Sequence, residues 1–72
     1  MSFKEGTKVT LKVNREKEFF PHDPLMFTVG KVYVSKGIDP SDSDKFLVDD
    51  NFGNEGSLIV DGALWEWEAV QE

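Results

Sequence analysis

The sequence predicts an all-β fold, a small closed or partly closed barrel of five short strands. Three observations carry this. Runs alternating apolar and polar residues recur between clusters of turn-forming residues, and alternation sends successive side chains to opposite faces. No window of about 12 residues sustains the 3.6-residue period of an amphipathic helix. The chain has only 72 residues yet is 12 % aromatic, and large rings suit a small core because each buries ~150–250 Å². Barrel closure removes the exposed edges on which small sheets aggregate.

The first strand is Lys8 to Val13. Val9, Leu11 and Val13 share one face; Lys8, Thr10 and Lys12 share the other. Residues 14–30 break the pattern. Asn14 to Glu18 is charged, and Pro21 and Pro24 bracket His22 and Asp23. Proline removes a backbone donor and pushes its predecessor toward extended geometry, so this stretch is a long loop. Long loops in small domains are where function concentrates. Lys31 to Lys36 is the second strand, begun at Gly30 and extended past a bulge by Gly37-Ile38. Asp39 to Asp44 is a polar loop. Lys45 to Asp49 is the third strand, with Phe46 and Val48 facing inward. Asp50-Asn51-Phe52-Gly53-Asn54 is a turn, because Asn and Gly tolerate positive φ. Ser57 to Val60 is the fourth strand, and Leu64 to Val70 the fifth, opening with a helical turn at 61–65. Phe3 is placed to cover one end.

Composition narrows the function. A chain this short holds one domain, residues 1–72, since ordinary domains take ~100–150 residues. At 39 % hydrophobic it is too apolar to be a disordered acidic segment. There is no cysteine, which excludes disulfide frameworks, thiolate metal sites and cysteine nucleophiles. No apolar run approaches the ~18–20 residues of a membrane span, and Met1 to Gly6 lacks the apolar stretch of a secretory signal. The expected location is the cytoplasm, with no membrane partner.

Charge is unevenly placed. Residues 1–36 carry seven Lys/Arg and four Asp/Glu, a balance of +3; residues 37–72 carry one lysine and ten acids, a balance of −9. The net charge of −6 hides this dipolar arrangement. Solvated loops and strand faces account for most of it. A basic partner meeting the acidic half is the functional alternative, because charge steers encounter.

Catalytic patterns are missing. The cluster Asp39, Asp42, Asp44, Asp49 and Asp50 lacks Gly and Glu at the sixth and twelfth positions of an EF-hand loop. The single His22 has no His-x-x-x-His companion. No serine lies in a Gly-x-Ser-x-Gly elbow, and no glycine run is followed by Lys-Ser or Lys-Thr. No enzyme activity, cofactor or metal is expected.

The layout of strand, long loop, three-strand meander, short helical turn and final strand resembles an SH3-like barrel. Three strings also resemble small proteins of tailed bacteriophages: Phe3 to Val9, Phe27 to Val34, and Phe46 to Gly56. This implies a small protein that binds a host protein in the bacterial cytoplasm and modulates it. The stretch Val13-Asn14-Arg15-Glu16-Lys17 lacks the Ala-Leu-Tyr-Asp-Tyr-like string of peptide-binding SH3 domains, so docking of proline-rich helices is not expected.

The candidate protein-binding residues are Phe19, Phe20 and Phe27 of the loop, Trp65 and Trp67 of the last segment, and the acids Asp49, Asp50, Glu66 and Glu68. Exposed aromatics rimmed by charge make interface hot spots. An alternative is a nucleic-acid face formed by Lys8, Lys12, Lys31 and Tyr33, since small barrels bind single strands with basic and aromatic side chains. The net negative charge weighs against it, because phosphate contact drives such affinity. A homodimeric structural or assembly role is the third possibility.

Overall fold

Alternation forms the first strand as expected, and its inward residues seed the core. In the computed structural model, which describes residues 2–70, β1 is Lys8–Asn14. Val9 and Leu11 are buried while Lys8 and Lys12 stay exposed. The expected domain 1–72 includes Met1, Gln71 and Glu72, which lie outside the described residues. A single-turn helix, α1 (Glu16–Phe19), follows β1. The remaining elements are β2 (Val32–Val34), β3 (Gly37–Asp39), β4 (Asp42–Asp49), β5 (Glu55–Ile59) and β6 (Trp65–Ala69).

All strand pairs are antiparallel and form two three-stranded sheets, β2-β1-β6 and β3-β4-β5. This differs from the expected closed or partly closed barrel of five strands in having two separate three-stranded sheets and six strands, while the all-β class holds. The second predicted strand is two strands, because the chain changes partner at Ser35. The Ser35 amide still bonds Thr7 beside β1 (2.8 Å), but the next amide, Lys36, bonds Leu47 in β4 (2.7 Å). The Ser35 hydroxyl fixes the bend by donating to the Phe3 carbonyl (3.0 Å) and accepting from the Gly37 amide (3.1 Å). Gly37 has φ +119°, a conformation L side chains rarely adopt.

Other boundaries move for equally local reasons. The polar loop at 39–44 contracts to a tight turn at Pro40 and Ser41, and β4 begins three residues early at Asp42. The segment 61–64 is a bend rather than a helical turn. The Gly62 amide bonds the Trp65 carbonyl (2.8 Å) and the Trp67 amide bonds the Val60 carbonyl (2.8 Å), so the chain reverses directly into β6. Helix α1 was not anticipated. Its single turn starts where the Glu16 amide bonds the Asn14 side-chain carbonyl (2.8 Å), a side-chain anchor of the kind Asn supplies at turns.

The core is Val9, Leu11, Phe27, Tyr33, Phe46, Val48 and Trp67, with Phe3, Leu58, Val60 and Trp65 packed against it. Trp67 sits at its centre. The rings of Phe27, Phe46 and Tyr33 meet it edge-on at 5.0, 5.5 and 5.7 Å between centroids. This is the arrangement the ring quadrupole favours. Phe3 packs edge-on against Phe46 at 5.0 Å and covers one end.

Candidate functional site

The long loop, residues 15–31, has little repetitive structure, so its backbone polar groups need side-chain partners. Glu16 supplies them. It is only 4 % exposed. Its carboxylate accepts from the Met26 amide (2.8 Å), the Phe27 amide (3.2 Å), the Asn14 side chain (2.7 Å) and the Trp65 indole (2.9 Å). Burial pushes the Glu16 carboxyl up, but these hydrogen bonds together outweigh it and hold the group below the usual carboxylate value. At the base of the loop, Arg15 pairs with Glu66, and the Arg15 amide bonds the Leu64 carbonyl (2.8 Å).

A second hub grips the loop from the β4–β5 turn. The Asn51 amide bonds the Met26 carbonyl (2.7 Å). Its side chain donates to the Leu25 carbonyl (3.2 Å) and the Thr28 hydroxyl (3.0 Å), and accepts from the Tyr33 hydroxyl (2.9 Å) and Lys31 (3.2 Å). The turn itself is built by Asp50. Its Oδ1 accepts the amides of Phe52 (2.8 Å) and Asn54 (3.0 Å), and Gly53 takes φ +82°.

Between loop and turn lies an open groove of about 350 Å³, walled by Phe20, Pro24, Met26 and Phe52 with Glu16, Asp23 and Asp50 among its lining. Phe19, Phe20 and Phe52 are all more than half exposed, and Met26 is also on the surface. Met26 and Phe52 were not among the expected contact residues. Phe52 carries a readable signal: an aromatic amid turn-forming residues has no strand face to carry it inward. Met26 carries none.

The other expected residues are dispersed. Phe27 and Trp67, each 1 % exposed, belong to the core and cannot touch a partner. Although Phe27 lies in a loop, the hydrogen bond from its amide to Glu16 turns this part of the loop inward. Trp65 is half-buried against Phe27, with ring centroids 5.3 Å apart. Asp50 is buried in its turn. Asp49 faces Lys36 (3.3 Å), which also pairs with Glu55 (2.8 Å); those two partners, Glu55 first, raise the Lys36 pKa. Glu66 is taken by Arg15. Glu68 is exposed. The acidic surface is thus partly neutralised from within.

The alternative basic face also separates. Lys8 and Lys12 are exposed on β1, but their neighbours across the ladder present Val34 and Val32 outward, with Lys8 opposite Val34 and Thr10 opposite Val32. Tyr33 pairs with Val9 and points inward, only 7 % exposed. Lys31 lies over the Tyr33 ring at 5.3 Å and bonds Asn51. The four residues do not make one surface.

Among the described residues, no group of three or more His, Cys, Asp or Glu is arranged to hold a metal ion, and no helix is long and apolar enough to cross a membrane. Comparison of the chain with family models, known proteins and solved structures gives no match.

Proposed function

We propose that the chain is a non-enzymatic protein-binding module on an SH3-like barrel layout. Its contact face is the groove between the long loop and the β4–β5 turn. The barrel layout is supported by two sheets that share one bent chain segment, a long first loop and tight later turns. One observation carries the function: Phe20, Met26 and Phe52 are exposed around a single groove, on backbone that Glu16 and Asn51 hold in place. Apolar side chains carried on a fixed backbone bind with a smaller ordering cost than those on a mobile one, which favours an interface anchor. The resemblance to small phage proteins makes a bacterial host protein the expected partner and its modulation the expected outcome.

The test is affinity capture from bacterial lysate with the wild-type chain and a Phe20→Ser, Phe52→Ser variant, read by mass spectrometry. Wild-type protein is expected to retain a partner in stoichiometric amount. The variant is expected to lose at least roughly tenfold of it while unfolding at the same denaturant concentration. Equal capture by the two proteins rejects this surface.

A further inference from the structure

We propose that the groove receives a cationic side chain, an arginine, from the partner polypeptide. This rests on the protein-binding reading above and adds the chemistry of the residue that enters. Two buried carboxylates contribute to the groove lining, Glu16 and Asp50. Among the described residues neither is paired with a cation. All four donors to Glu16 are neutral N–H groups, so its charge is hydrogen-bonded but not neutralised.

Asp50 differs in a telling way. It is only 9 % exposed, and both turn amides bond one oxygen, Oδ1. No hydrogen bond from the described residues reaches Oδ2. Oδ2 is not one of the fully enclosed unpartnered atoms of the described residues, so it keeps access to solvent and is open to a donor from outside. Asp23, at the groove, adds a third acid, and the Lys17 ammonium bonds the Asp23 backbone carbonyl beside it. The groove lining therefore combines three acids with four apolar side chains.

That combination selects the ligand. A guanidinium offers N–H donors to a carboxylate and flat apolar faces to aromatic side chains such as Phe20 and Phe52. A lysine ammonium meets the carboxylate but lacks the flat face. A phosphate-bearing strand is repelled.

The experiment is an NMR titration of ¹⁵N-labelled protein with an acetylated, amidated Ala-Arg-Ala peptide and its citrulline counterpart. Citrulline keeps the planar shape and loses the charge. The arginine peptide is expected to shift the amides of Met26, Asp50, Phe52 and Asn54, with a dissociation constant on the order of 1–10 mM. The citrulline peptide is expected to bind at least roughly tenfold more weakly. Asp50→Asn is expected to weaken the arginine peptide by a similar factor. Its amide oxygen still accepts from Phe52 and Asn54, so the turn survives. Equal shifts from both peptides, no shift from the arginine peptide, or shifts scattered over exposed acids such as Glu68 overturn the proposal. If the titration fails while Phe20→Ser, Phe52→Ser still loses its captured partner, the binding face stands and only the cation is wrong.

Discussion

The long loop and the β3–β5 meander are stabilised in opposite ways. The meander satisfies its backbone through ladder hydrogen bonds, and its polar side chains make exposed pairs such as Lys36 with Glu55 and Asp49. The loop has almost no ladder. It relies chiefly on two side chains, Glu16 and Asn51, helped by Asn14 and Tyr33, and on one ring, Phe27, placed among the core aromatics. The meander therefore has many small, replaceable supports, whereas the loop depends on a few side chains that each satisfy several groups. Irregular backbone is fixed only where buried polar groups find specific partners.

The sharpest test of this contrast is a pair of truncations. Phe27→Ala in the loop and Phe46→Ala in β4 are each expected to cost about 3–5 kcal/mol, measured by urea unfolding. A Phe27→Ala cost below about 1 kcal/mol shows instead that the loop is not part of the core. The next effect is Glu16→Gln, expected to cost about 1.5–3 kcal/mol near neutral pH. Because the folded-state pKa of Glu16 is depressed, its contribution is complete above the unfolded value of 4.5. It is lost as pH falls through the lower folded value. The stability gap between wild type and Glu16→Gln should therefore narrow on acidification below that point. A gap independent of pH removes the carboxylate charge from the explanation.

A smaller effect belongs to Asn51→Ala, expected at about 1–2 kcal/mol. Amide exchange should quicken at residues 26–28 and stay unchanged in β4, and uniform quickening contradicts a local clamp. The smallest belongs to the meander's exposed charges. Lys36→Gln should leave the unfolding midpoint almost unmoved, since water and salt screen such pairs. A large drop there erases the difference between the two regions.

The parts of the fold legible in the sequence are those decided by neighbours. Alternation exposed β1, the inward pair Phe46 and Val48, and the all-β class. Asp50-Asn51-Phe52-Gly53-Asn54 announced its turn. What stayed hidden depends on distant partners. Glu16 lies in a charged run and reads as solvated, because its donors Met26, Phe27 and Trp65 are far along the chain. The same distance conceals the inward turn of Phe27 and the partner change at Ser35. Of the candidate site, the exposure of Phe19 and Phe20 agrees with their place in a loop region, although the short helix that carries Phe19 was not legible. The pairing of acids with Lys36 and Arg15 was not legible either, since opposite charges find each other through the sheet register.

The register that sets Leu11 against Trp67 joins opposite ends of the chain, whereas β3, β4 and β5 pair only with sequence neighbours. Closing the longer span costs more chain entropy and slows its formation. Within the folding reaction the local pairings of the meander are thus expected to form ahead of the β1–β6 pairing. Until β6 docks, Trp67 is missing from among Phe27, Tyr33 and Phe46, and the Trp65 indole is missing from Glu16. Glu16 therefore gains its indole partner only when β6 docks, so the loop that walls the groove receives its last support from the far end of the chain.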